Sequence, residues 1–155
     1  MMPPASRAMA GAATLHLALG FSLGAVVLVA KAGGGASPVW LLRETHIHLL
    51  LFGWLAQFAM GVALAIFPRL ASGPPRGDPR AAWVCFGLLN LGVVCGALAP
   101  IPAGLGWIGV SGGLLGLAGA GEMLAVAVFA RVMWARVRTV NPVWPTDLPV
   151  MRGPK

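Results

Sequence analysis

The chain is short of charge, and above all of acid. Four Asp and Glu stand against eleven Lys and Arg in 155 residues, and only 10% of side chains are charged, whereas an ordinary soluble domain carries about 25%. So few charges cannot cover a water-facing surface, and a hydrophobic fraction of 58% says the same from the other side. Tyrosine is absent, which excludes any mechanism that draws a phenol from this chain. Cysteine is limited to Cys85 and Cys95, both inside one apolar run. Ten residues apart on a helix, they point in different directions, so they read as packed thiols and not as a disulfide or metal pair. No glycine-rich phosphate loop, nucleophile triad or zinc-ligand spacing occurs. A net charge of +7 would suggest nucleic acid in a soluble protein. Here the arginines lie between or after apolar runs, where they read as topology determinants and lipid-headgroup contacts, so no nucleic-acid partner is expected.

What is present is four long apolar stretches, at about 9–30, 46–67, 81–98 and 105–130. A helix crossing ~30 Å of hydrocarbon needs about 20 apolar residues, and each stretch supplies roughly that. The sequence therefore predicts an all-α, four-helix transmembrane bundle in one domain, 1–138, followed by a proline-rich tail, 139–155. Pro68 closes the second run, because proline cannot continue the backbone ladder. The segment from Ser72 to Pro79 reads as a turn-rich connector, and Pro100-Ile101-Pro102 as a tight turn at the opposite end. Nine of the eleven basic residues then fall on one side, leaving Lys31 and Arg43 on the other. This asymmetry predicts that both termini are cytoplasmic. Trp107 and Trp134, near the two ends of the fourth run, are placed as interfacial anchors. A rival reading takes Arg7, the first run and Ala30-Lys31-Ala32 as a cleaved secretory signal. The run is too long for that, and an uncut first helix keeps the even number of spans the charges require.

Lipid tails are as apolar as leucine, so helices associate through close backbone approach or polar links. Gly20 and Gly24 lie one turn apart on the first run. Gly109, Gly112, Gly113, Gly116 and Gly119 give the fourth a broad smooth face, expected to pack within the chain in the first instance, with a dimer face as the alternative. At ~1.5 Å per residue, His16 lies about 10 Å from the inner boundary, Asn90 about 13 Å, Glu122 about 12 Å and Gln57 about 15 Å. Each run thus offers one polar side chain to a single layer. It reads either as a hydrogen-bonded cluster that holds the helices together or as a proton or ligand site, with Glu122 beside His16. Ionised and unpaired, Glu122 would be costly there.

The second run opens with His46-Ile47-His48 and continues to Gly53-Trp54. Two residues turn a helix by about 200°, so the two histidines cannot both face one metal through an undistorted helix. His46, Gly53, Gln57 and Met60 share a stripe at helical spacing, and Gly53 would leave room for a flat ligand beside His46. The string from His46 to Trp54, then Gly61 and Phe67-Pro68-Arg69, resembles short four-helix membrane proteins related to subunit I of the heme-copper (cytochrome c) oxidases. The resemblance covers about 25 residues, and the rest agrees in hydropathy and helix count only. It implies heme b bound by His46 or His48, with Gly53 lining the heme and Met60 a weaker candidate ligand. It also implies electron transfer within a respiratory chain of the bacterial cytoplasmic (inner) membrane, and a homo-oligomer or other membrane subunits as partners. Three histidines and no tyrosine fall short of an oxidase's needs, so dioxygen reduction by this chain alone is not expected. A structural or assembly subunit is one alternative. The other is a sensor that binds copper or a small gas through the same histidines.

Overall fold

The computed structural model describes residues 2–34, 38–67 and 78–138. Residues 68–77, which hold most of the Ser72–Pro79 connector, and the proline-rich tail from 139 lie outside the described residues. The described residues are helical almost throughout and contain no strand. Four helices are long and apolar enough to cross a membrane: Pro4–Ala32, Val39–Ile66, Pro79–Gly104 and Ile108–Arg138. The protein is a multi-pass membrane protein with an all-α, four-helix architecture.

The helices outrun the apolar stretches because they continue into the polar flanks. Pro3 and Pro4 open the first helix, where proline's missing N–H costs nothing. The third starts at Pro79, and the Asp78 carboxylate accepts the Arg80 N–H at 2.9 Å as its cap. Phe67 leaves the second helix in extended conformation, as the residue before a proline does. The expected turn at Pro100-Ile101-Pro102 is corrected: Pro100–Gly104 forms one more helical turn. Pro100 occupies a first-turn position, where its fixed φ suits a helix. The reversal comes three residues later, where Gly106 adopts φ 81° and the Trp107 N–H returns to the Pro102 carbonyl at 2.8 Å.

The second helix is not uniform. A short 3₁₀ turn, Pro38–Leu41, leads into α-helix at Leu42–His48. Leu49–Ala56 is then π-helical, with the Gln57 N–H reaching back to the Phe52 carbonyl, and α-helix resumes at Gln57–Ile66. The wide turn begins directly after His48. Such segments are rare and concentrate at functional sites.

The helices pack as two hairpins. The third and fourth lie along one another, and so do the first and second. The second and third join the hairpins, while the backbones of the second and fourth scarcely approach. Glycines set the close contacts. A Cβ on Gly92 would stand 2.8 Å from Glu122 Cγ and 2.9 Å from the Ala118 carbonyl oxygen, and one on Gly121 would stand 3.0 Å from the Leu88 carbonyl oxygen. Gly61 likewise receives Met9. The five glycines from Gly109 to Gly119 are exposed and meet nothing within 4 Å, so the expectation that they pack within the chain is corrected. The fourth helix packs inward through Ala118, Gly121 and Ala125 instead. The core joins Met9, Leu49, Met60, Leu64, Leu89 and Val93. Cys85 and Cys95 are both buried and free.

One basic residue read as a surface determinant is structural. Arg136 is 1% exposed and reaches the end of the second helix. Its Nη1 donates to the Leu64 carbonyl at 3.1 Å and its Nη2 to the Phe67 carbonyl. The guanidinium thus satisfies carbonyls that the helix end leaves without partners.

Candidate functional site

Each of the three histidines fits its ring against a glycine of a different helix. An imidazole inside a bundle needs a hole, and a missing side chain supplies one. His16 of the first helix lies against Gly53 of the second, where a Cβ would stand 2.8 Å from its Cγ. His46 of the second lies against Gly24 of the first, and His48 against Gly96 of the third. Gly53 is therefore filled by His16, which corrects the expectation that it leaves room for a ligand beside His46.

The hydrogen bonds follow these fits. His16 Nδ1 donates to the Gly53 carbonyl at 3.1 Å, inside the π-helical segment. His46 Nδ1 donates to the Gly20 carbonyl at 2.7 Å. A carbonyl only accepts, so Nδ1 carries a proton in both rings, and in the neutral imidazole Nε2 is then the nitrogen with the lone pair. His48 is held differently. Its Nε2 stands 2.7 Å from Glu122 Oε1, and the two side chains are 18% and 12% exposed. Neither atom has another partner among the described residues. The His48 ring also packs on Phe52, with centroids 4.9 Å apart.

His46 and His48 thus point to opposite sides of their helix, as their spacing requires. His46 borders a groove of about 460 Å³ on the outside of the first hairpin, lined by Phe21, Gly24, Leu28, Lys31, Trp40 and Arg43. His48 faces the interior between the third and fourth helices.

The four residues expected in one polar layer do not form a cluster. Glu122 pairs with His48 and not with His16, because His16 is turned into the first hairpin. Asn90 Nδ2 donates to the Phe86 carbonyl of its own helix at 2.8 Å. Gln57 is fully buried, and neither amide atom has a partner among the described residues. Met60 does not accompany His46. It lines a second groove of about 370 Å³, with Phe52, Leu89, Gly119, Glu122 and Met123. A third groove, of about 240 Å³, lies on the other side of the His48–Glu122 pair and is lined by Leu41, Glu44, His48, Gly96, Pro100 and Ser111.

Sequence reasoning missed two hydroxyl links between helices, besides Arg136 and the Cys85 thiol, which donates to the Ala125 carbonyl at 3.4 Å. Ser6 Oγ donates to the Gly61 carbonyl at 2.7 Å, and Thr45 Oγ1 to the Ala97 carbonyl at 2.7 Å. Both hydroxyls sit in apolar surroundings where only an interhelical partner satisfies them, but serine and threonine in a spanning helix can equally bond their own preceding turn. Thr14 and Ser22 do so. No group of three or more His, Cys, Asp or Glu able to hold a metal occurs among the described residues.

No protein-family model matches the chain, and neither a curated protein nor a solved structure does so.

Proposed function

We propose that this chain is a heme b binding redox module of the bacterial inner membrane, working in electron transfer as a homo-oligomer or beside other membrane subunits. The observation that carries the reading is the orientation of His46. Its Nδ1–H is fixed on the Gly20 carbonyl, which sets the ring and leaves Nε2 as a donor. The adjoining groove, of about 460 Å³, falls in the usual size range of cofactor sites, ~300–1,000 Å³. Apolar Phe21 and Leu28 would face the macrocycle, and Lys31 and Arg43 at one end would neutralise its carboxylates. These residues fit heme b, with His46 as the one ligand this chain would supply. His48, Gly53 and Met60 do not fit the same site: His48 is engaged by Glu122, Gly53 by His16, and Met60 lines another groove. Bound heme would supply one-electron chemistry, with its potential tuned by axial ligation and burial. The chain itself orients the ligand through Gly20, seats it through Gly24 and supplies the two cations. The groove lies open on its outer side, since Phe21 and Leu28 are largely exposed, so a second ligand would come from a second copy or a partner subunit.

A structural or assembly subunit is the competing reading. It is favoured by Ser6, His16, Thr45 and Arg136, whose interhelical hydrogen bonds explain their presence without any ligand. An oxidised-minus-reduced optical spectrum of detergent-purified protein, with metal analysis of the same sample, separates the readings. The heme reading expects a Soret band that His46→Ala abolishes and that His48→Ala and His16→Ala retain. Full heme retention by His46→Ala would refute it. Copper without a Soret band would assign His46 to a copper or gas-binding sensor, and a colourless, metal-free protein would favour the structural subunit.

A further inference from the structure

The geometry points to His48 and Glu122 as a proton-binding pair that exchanges with the aqueous phase at one end of the bundle, the end bearing Glu44 and the Pro100–Gly104 turn. The pair itself shares no residue with the heme site; the one point of contact is Arg43, whose Nη1 stands 3.8 Å from Glu44 Oε1.

Three observations carry it. Glu122 is the only carboxylate within the four apolar stretches, and it meets His48 Nε2 at 2.7 Å. A bilayer core tolerates an ionisable group mainly where it is paired and functional. The two groups also lie where the second and fourth helices stay apart, so side chains, and not close backbone packing, bridge the gap. Finally, the two grooves that border the pair differ in kind. The groove toward Glu44 is about 240 Å³ and offers the Glu44 carboxylate, the Ser111 hydroxyl and His48 itself. At ~30 Å³ per molecule it has room for several waters, and it has the polar partners that water needs. The groove on the other side has Glu122 as its one ionisable lining residue, among Phe52, Ala56, Met60, Leu89 and Met123. It offers a proton no carrier.

The transfer balances as follows. With one proton between them, imidazole and carboxylate are neutral overall, whether written as His–carboxylic acid or as imidazolium–carboxylate. A proton from water, relayed by the Glu44 carboxylate and water in the groove, adds to this pair and yields imidazolium and carboxylic acid, with one added positive charge. Release along the same route restores the neutral pair. Glu44 faces the groove from the second helix with Arg43 3.8 Å away on the same helix, Glu122 faces His48 from the fourth, and the third helix contributes Gly96, Ala99 and Pro100, none of which titrates. The pair would thus take up or return one compensating proton when charge changes elsewhere in the membrane.

Infrared difference spectroscopy of the protein in lipid vesicles tests this by reading the carboxylic-acid C=O band as pH is stepped. The expected result is a band that rises and falls with pH, disappears in Glu122→Gln, shifts in His48→Gln and is unchanged in His16→Gln. The route is read from deuterium exchange into the band. Glu44→Ala and Ala103→Phe, which remove the relay and fill the polar groove, should slow exchange by an order of magnitude or more. Ala56→Phe, which fills the apolar groove, should leave the rate unchanged. Glu122→Gln preserves the shape of the side chain, so loss of the band with the helical spectrum intact is not a folding failure. No pH-dependent carboxyl band in the native chain would overturn the proposal. So would exchange slowed as much by Ala56→Phe as by Ala103→Phe.

Discussion

Replacing Gly92 by alanine tests how the third and fourth helices hold together. The added Cβ would stand 2.8 Å from Glu122 Cγ, 2.9 Å from the Ala118 carbonyl oxygen and 3.1 Å from the Glu122 nitrogen. Two of these three atoms are backbone of the fourth helix and cannot swing aside. Comfortable non-bonded separations are about 3.5–4.0 Å, so the helices must part locally by roughly half to one ångström. Overpacking of this kind costs about 1–3 kcal/mol. Alanine's advantage over glycine in a helix, about 0.5–1 kcal/mol, offsets little of this, because in a micelle or bilayer the helix persists after the bundle separates. Gly112→Ala is the internal control. A Cβ there meets nothing within 4 Å, so its effect should stay within about 0.5 kcal/mol. Titrating mixed micelles with a denaturing detergent, followed by tryptophan fluorescence, reads both variants against the native chain. Equal stability of Gly92→Ala and Gly112→Ala would refute the packing argument. A destabilised Gly112→Ala whose midpoint moves with protein concentration would show that the exposed glycine face is covered by another chain.

Three further expectations can be read with the same preparations. Arg136→Ala should lower stability by about 1.5–3 kcal/mol, the usual worth of hydrogen bonds to a charged group, and Arg136→Lys should recover only part, since an ammonium lacks the fork that serves two carbonyls. Glu122→Gln should preserve the bundle, whereas Glu122→Leu should cost about 1–3 kcal/mol by stranding His48 Nε2; equal midpoints would show that the pair does not hold the helices. Gly24→Ala would place a Cβ 2.5 Å from His46 Cε1 and should reduce the Soret absorbance as His46→Ala does, while a normal heme content would separate the ring's seat from heme binding.

The fold was legible because its signals are cumulative. Four apolar stretches of spanning length, Pro68 after the second and Pro79 at the head of the third, leave few other arrangements for a chain with so few charges. Single residues were less legible. Pro100 and Pro102 look like a turn to local statistics, yet proline in a first turn is equally a helix start, and only the site of reversal at Gly106 decides between them. The π-helical turn has no signature at all: Leu-Leu-Leu-Phe-Gly-Trp-Leu-Ala is apolar all round, so no periodic pattern records how many residues make a turn. Helical spacing set Met60 on the face of His46, whereas the structure places it in the groove of Glu122. Arg136 counted as one more positive charge on one side, because nothing in the sequence says that the second helix ends within its reach.

The histidine pair shows where spacing stops and tertiary structure begins. A separation of two residues excludes a shared ligand, and that much is helical geometry. It does not say what each ring meets. The answer lies in Gly24 and Gly96, which in sequence are two among many glycines of an apolar chain, and in Glu122, more than seventy residues away. Because the two rings are seated on different helices and open toward different grooves, the reading at His46 and the reading at His48 are independent. The two rings have different hydrogen-bond and packing partners, so losses in a His46→Ala, His48→Ala double variant should add. Any departure from additivity in stability would mean that the α-helical backbone between them, just ahead of the π-helical segment, couples the two sites.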